Sequence, residues 1–80
     1  MKLPRNISAA EFVSSLKKFG YEVSRQKGSH IRLTTLSNGE HHLTIPNHNP
    51  IKLGTLSSIL NDVALHFKLS KEDTLKKLFG

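Results

Sequence analysis

The absence of cysteine from a chain of only 80 residues is the strongest constraint on its fold. A chain of this length buries only about 60% of the surface that it exposes when unfolded, so it supports one hydrophobic core and not two. Disulfides and thiolate zinc sites, which stabilise many small domains, are excluded, as is a cysteine nucleophile. We therefore expect one domain over residues 1–80, stabilised by apolar packing alone and suited to a reducing cytoplasm.

Apolar residues recur at helical spacing in three segments. Ser8 and Glu11 have the spacing of a capping box, in which the two side chains satisfy free N–H groups at the start of a helix. This pattern predicts a first helix over residues 9–19. A second apolar stripe covers residues 56–67, and a short third helix follows Ser70, which is a good N-cap.

Between the first and second helices the pattern changes to a period of two, which is typical of strands. The predicted strands are residues 21–26, 29–34 and 41–45, with turns at Lys27-Gly28 and Asn38-Gly39. Short turns join antiparallel neighbours. The order therefore predicts a two-layer α+β fold: a helix, a three-stranded antiparallel sheet, a second helix and a short C-terminal helix.

The alternation divides the predicted sheet into two faces. His30 and Arg32 lie on the face left open to solvent or to a partner. An exposed sheet edge can pair with a second copy to form a homo-oligomer, or its charged side chains can prevent this, and the sequence leaves both outcomes open. We expect the helices to cover the other face, whose apolar residues are Val23, Ile31, Leu33, Leu43 and Ile45.

The charge balance favours a polyanionic partner. Twelve Lys and Arg against six Asp and Glu give a formal net charge of +6. Such an excess attracts nucleic acids, although many basic domains are only soluble. No stretch approaches the roughly 18 consecutive apolar residues of a membrane span, so we expect a soluble, cytoplasmic protein.

His30 is the main candidate for chemistry. It follows the Gly28-Ser29 turn on the open face, with Lys27 and Arg32 near it and Arg25 as a further candidate neighbour. An imidazole accepts or donates a proton near pH 7, and cations gather phosphate groups. The alternative is a solvated strand histidine without a chemical role.

Lys52 is the second candidate for phosphate binding. It precedes Gly54 and Thr55 at the expected start of the second helix. Unpaired backbone N–H groups at such a terminus, with a lysine beside them, form a plausible anion cradle. Ordinary helix capping by Thr55 is the alternative.

Three more histidines, His41, His42 and His48, raise the question of a metal. His41 and His42 are neighbours on a strand and therefore point to opposite faces, and no thiolate or carboxylate completes a ligand set with them. We expect no metal and no cofactor. His42 should share the open face with His30, and His48 should lie in a loop.

Three stretches together resemble a known family. In their order and spacing the chain resembles the HicA family of bacterial and archaeal toxins, also called YcfA-like, over nearly its whole length. This resemblance implies a double-stranded-RNA-binding-like fold, which agrees with the predicted order of elements. The stretches are Leu3-Pro4-Arg5 before the capped helix, Lys27-Gly28-Ser29-His30 at the second strand, and Thr44-Ile45-Pro46-Asn47-His48 running on to Leu53-Gly54-Thr55-Leu56.

The resemblance also implies a function. Members of the family are mRNA interferases, endoribonucleases that arrest growth until a cognate HicB antitoxin covers them. The family's catalytic histidine corresponds to His30, which implies a toxin of a type II toxin-antitoxin system that cleaves mRNA without a metal. The alternative is a non-catalytic RNA-binding module of the same fold. The residues expected to contact RNA and its phosphates are Lys27, Gly28, Ser29, Arg32 and Lys52.

One histidine supplies only half of an acid–base pair. As general base His30 would act on a ribose 2′-OH, and as general acid it would act on the leaving 5′-oxygen. The sequence does not identify the second group. His42 is a candidate only because it should lie on the same face as His30.

Overall fold

A computed structural model describes residues 2–80 of the chain and contains the predicted elements in the predicted order, so the α+β fold is confirmed. The first helix continues as a short 3-10 turn. The elements are α1 (Ala9–Leu16, then the 3-10 turn Lys17–Phe19), β1 (Glu22–Lys27), β2 (His30–Thr35), β3 (His41–Pro46), α2 (Leu53–Phe67) and α3 (Lys71–Phe79).

The start of α1 has the predicted capping box. The backbone N–H of Glu11 donates to Ser8 Oγ at 3.1 Å, and the backbone N–H of Ser8 donates to Glu11 Oε1 at 3.0 Å. Hydrogen bonds from Ser8 to the carboxylate, first from its backbone N–H and then from its side chain, favour the ionised form and lower the pKa of Glu11. After the 3-10 turn, Gly20 adopts a φ of 83°, a left-handed conformation that costs glycine little.

The three strands form one antiparallel sheet in the order β1-β2-β3. The core lies between the helices and one face of this sheet, where Leu33 and Ile45 are completely buried. Phe12, Leu16, Leu56 and Leu60 on α1 and α2 are buried to the same degree. The predicted two-layer arrangement therefore holds for β2 and β3.

The first strand differs from the expectation. All six residues of β1 are exposed, and Val23, which we expected beneath the helices, is 49% exposed. β1 is one of the two edge strands, and a bulge at Ser24 interrupts its pairing with β2 between Val23 and Arg25. The helices cover β2 and β3 instead, and Tyr21, just before β1, is the buried residue at that corner.

A polar cluster joins β3 to α2 on the helix side of the sheet. The Tyr21 hydroxyl lies 2.7 Å from His41 Nδ1, and His41 Nε2 lies 3.4 Å from Asp62 Oδ1. The His41 ring stacks on that of His66 with centroids 4.3 Å apart. Burial, with a smaller effect from the Asp62 charge, raises the pKa of Tyr21 well above its usual value.

The C-terminal elements complete the core. α2 ends at Lys68, which adopts a left-handed φ of 56°, and Ser70 Oγ caps α3 by accepting from the Asp73 N–H at 3.0 Å. Leu75 and Leu78 of α3 are buried. Within residues 2–80, every helix is too short or too polar to cross a bilayer.

Candidate active site

The turn between β1 and β2 is closed by the pairing of Lys27 with His30. Gly28 has a φ of 58° and Ser29 does not have a positive φ, which is the pattern of a type II′ hairpin turn. A Cβ atom at Gly28 would meet no other atom within 4 Å. Glycine is therefore required there for backbone conformation and not for space, and the backbone of the turn is open to an approaching ligand.

Three cations surround His30 on the open face. Lys27 pairs directly with His30, and Arg25 pairs with Arg32 in the next row of that face. Paired residues share a face, and successive rows are about 7 Å apart. All four side chains are exposed. We call Arg25, Lys27, His30 and Arg32 the hairpin patch.

The charges of the hairpin patch are not neutralised by the protein. None of its four side chains forms a hydrogen bond or an ion pair with any residue in the described part of the chain. Cations without partners keep their full attraction for an anion, because no internal bond must be broken first. The patch therefore presents to solvent three positive charges and an imidazole, all unpaired within residues 2–80.

The far end of the open face carries hydrogen-bonded polar side chains and carboxylates in place of free cations. His42 Nε2 lies 2.8 Å from Glu40 Oε2, and His42 Nδ1 lies 2.8 Å from Thr34 Oγ1. Thr34 in turn bonds Ser24 Oγ at 2.8 Å and pairs across the sheet with Glu22. The carboxylates of Glu22 and Glu40 thus lie at this end, so on the open face the positive charge is confined to the hairpin patch.

His42 shares the open face with His30, as expected, but lies far from it. His42 pairs with Thr34, which is four residues along β2 from His30. Four residues of a strand span about 13 Å, and bonds to Thr34 and Glu40 hold the His42 ring at its own end of the face, so it does not share a phosphodiester with His30. A shared sheet face is therefore not enough to identify a second acid–base group, because residues on one face can lie far apart along the strand.

The loop that follows β3 contacts the turn beside His30. The Asn47 N–H donates to the Ser29 carbonyl oxygen at 2.7 Å, and Pro46 pairs directly with His30. His48, the next residue in the loop, is exposed. The sequence indicated a loop here but contained no local signal for this contact, since Ser29 and Asn47 are distant in the chain.

Lys52 is the one predicted site residue that the pairing does not bring to the turn. It is the N-cap of α2, exposed, and its side chain does not cap the helix. No strand pairing or hydrogen bond in residues 2–80 joins it to Gly28 or Ser29. The expected capping role of Thr55 is wrong, because Thr55 lies inside the first turn of α2.

The histidines do not converge on one another. His41 faces the helices and His42 faces the open side, as the alternation predicts. Among residues 2–80, no three His, Asp or Glu side chains are arranged to hold a metal ion. The chemistry available at the hairpin patch is therefore that of an imidazole, three cations and the hydroxyl of Ser29.

Comparison with models of known protein families gives a match. A family model described as the HicA toxin of bacterial toxin-antitoxin systems matches residues 9–65. No curated protein and no solved structure matches the chain. The matched range includes the hairpin patch, the loop after β3 and most of α2, and it ends before α3.

Proposed function

The chain belongs to the HicA family of toxins of bacterial toxin-antitoxin systems, and from this premise we propose that it is an endoribonuclease that cleaves mRNA. The observation that carries the proposal is the hairpin patch. His30 is exposed, pairs with Lys27 and lies one row from two arginines. This combination of a proton-transfer group and free cations suits a phosphodiester substrate.

In the proposed reaction His30 is the general base. It removes the proton of a ribose 2′-OH, and the 2′-oxygen forms a bond to the adjacent phosphorus. The bond from phosphorus to the 5′-oxygen breaks, and that oxygen takes up a proton. The products are a 2′,3′-cyclic phosphate and a 5′-hydroxyl, and the proton transfers contribute typically 10²- to 10⁴-fold in rate.

The cations stabilise the charge that develops on the phosphate. Lys27 is directly beside His30 and contacts the reacting group, while Arg32 binds it or the next phosphate. The open backbone of Gly28 and the hydroxyl of Ser29 are the neutral contacts. Lys52, at the start of α2, holds a more distant phosphate of the same strand. No metal or other cofactor takes part in this scheme.

The partner of the toxin is a HicB-type antitoxin. An acidic surface that covers the hairpin patch would block access of a polyanion by direct charge complementarity. Growth arrest follows when this cover is lost and mRNA in the cytoplasm is cleaved. The alternative, an RNA-binding module without catalysis, is favoured by one observation: His42, which shares the open face, lies four residues along the strand from His30.

The test compares wild-type protein with His30→Ala on an RNA transcript in EDTA. Circular dichroism verifies first that both proteins are folded. His42→Ala is the matched control, because it removes an imidazole from the same face about 13 Å away. We expect cleavage by wild type and by the control, and none by His30→Ala. Binding without cleavage by all three proteins would support the non-catalytic alternative.

A further inference from the structure

The proposed reaction needs a second proton-transfer group, and this inference rests on that proposed function. The chain has five histidines. Two of them, His41 and His66, stack on each other on the helix side of the sheet. His42 has both ring nitrogens bonded and lies at the far end of the open face. His48 is the remaining histidine.

The backbone holds His48 close to the turn that carries His30. The His48 N–H donates to the Pro46 carbonyl oxygen at 2.9 Å, and Pro46 is the direct pairing partner of His30. The Cα atoms of His30 and Pro46 are about 5.5 Å apart across the strands, and each of the two steps along the chain from Pro46 to His48 adds about 3.8 Å. The Cα atoms of His30 and His48 therefore lie within about 13 Å of each other. This sum is an upper bound, because the bond to Pro46 turns the chain back on itself.

Three further contacts fix this segment. The carbonyl oxygen of His48 accepts from the Ala9 N–H at 3.3 Å, and Asn49 Oδ1 accepts from the same N–H at 3.2 Å. The preceding residue, Asn47, is bonded to Ser29 at 2.7 Å. The main chain of His48 is thus anchored to the start of α1 and to the hairpin turn, which is the support that a catalytic side chain requires.

The ring of His48 is free for chemistry. The residue is exposed, and its imidazole forms no hydrogen bond or ion pair with the rest of residues 2–80. The attacking 2′-oxygen and the leaving 5′-oxygen lie on opposite sides of the phosphorus. An acid and a base that act on them must therefore be separated by the width of the phosphate and need not contact each other.

We infer that His48 is the second catalytic residue, the general acid of the cleavage. His30 takes the proton of the 2′-OH while the 2′-oxygen bonds to phosphorus. The bond from phosphorus to the 5′-oxygen breaks, and protonated His48 gives its proton to that oxygen. The enzyme ends with His30 protonated and His48 neutral, and exchange of protons with water restores the starting state.

The test uses an oligoribonucleotide and its analogue with a bridging sulfur in place of the 5′-oxygen at the bond that wild type cleaves. Thiolate is a good leaving group that needs no protonation. On the oxygen substrate we expect His48→Ala to be slower by about 100- to 10,000-fold in single-turnover cleavage. On the sulfur substrate it should regain most of that loss, whereas His30→Ala should not.

His42→Ala is the control and should remain within a few fold of wild type on both substrates. A wild-type rate for His48→Ala on the oxygen substrate would overturn the inference while leaving the proposed function intact. Equal slowing on both substrates would also overturn it, since that pattern indicates a structural role. If wild type itself cleaves neither substrate, the proposed function fails, and the inference fails with it.

Discussion

At the scale of single residues, adjacent side chains of one type have unrelated roles. His41 and His42 are neighbours in β3, yet His41 bonds the buried Tyr21 while His42 bonds Glu40 and Thr34 on the open face. The alternation of a strand accounts for this difference. It does not identify the partners, which come from other elements of the chain.

Tyr21→Phe tests the buried hydroxyl. The change removes the hydroxyl that forms a hydrogen bond with His41 Nδ1, so the free energy of unfolding near pH 7 should fall by about 1 kcal/mol. Because burial raises the pKa of Tyr21, the folded state holds this proton above pH ~10, where an unfolded tyrosine loses it. The wild type should therefore lose stability as the pH rises past that point, and the variant should lose less.

Urea denaturation from pH 7 to pH 11 measures both effects. The chain has a single tyrosine, so the difference between the wild-type and variant curves isolates this group from the titrating lysines. If the free energy of unfolding changes equally with pH in wild type and variant up to pH 11, folding does not raise the pKa of the hydroxyl.

At the scale of elements, β1 shows how an edge strand supplies two cations, Arg25 and Lys27, to the hairpin patch. Its six residues are exposed, so burial did not constrain them, and the bulge at Ser24 lies directly before the row of Arg25 and Arg32. At each helix cap, Ser8 or Ser70, the serine hydroxyl accepts from the backbone N–H three residues later, so both caps are local in sequence. The exposure of β1 has no such local origin, because it depends on where the helices pack.

Arg25→Gln tests the contribution of this strand. In a His30→Ala background, which keeps the RNA intact, we expect weaker binding of a single-stranded RNA. The slope of log affinity against log salt concentration should decrease in magnitude by about 0.7, the value for one lost phosphate contact. Fluorescence anisotropy over a series of salt concentrations measures both quantities.

Lys17→Gln is the matched control for Arg25→Gln. It makes the same change of charge in the 3-10 turn of the helix layer, where the side chain is also exposed. An equal effect of the two substitutions would indicate that only the net charge of the protein matters, and that the hairpin patch has no special position.

At the scale of the whole molecule, α3 belongs to the same core as the elements that the family model matches. Leu78 is 1% exposed, and the Lys18 Nζ donates to its carbonyl oxygen at 2.9 Å. The rings of Phe12 and Phe79 have centroids 6.3 Å apart. These contacts connect α1 with α3, so we expect the chain to unfold as one domain over residues 1–80, of which Met1 lies outside the described residues.

Leu78→Ala tests this expectation. The cavity left by a buried leucine should lower the free energy of unfolding by about 2–5 kcal/mol, in a single transition. Leu65→Ala is the control, because Leu65 on α2 is 79% exposed and its loss should change stability by less than about 0.5 kcal/mol. Two separate transitions, seen by circular dichroism and tyrosine fluorescence, would contradict a single domain.

The sequence by itself determined the elements, their order, the glycine turns and the helix caps. Each of these depends on residues within about four positions of one another or on a simple period, as at Ser8 with Glu11 and in the alternation of β2. It also indicated His30 as the candidate for chemistry, because the turn and the neighbouring cations are local features.

Only the tertiary structure decided which residues accompany His30. It left Val23 exposed on an edge strand and placed His42 four residues along the strand from His30. It also joined the loop that contains His48 to the turn through the bond between Asn47 and Ser29. Such contacts join residues far apart in the chain. They are stabilised by the burial of a shared core, and no local pattern encodes which distant segments that burial brings together.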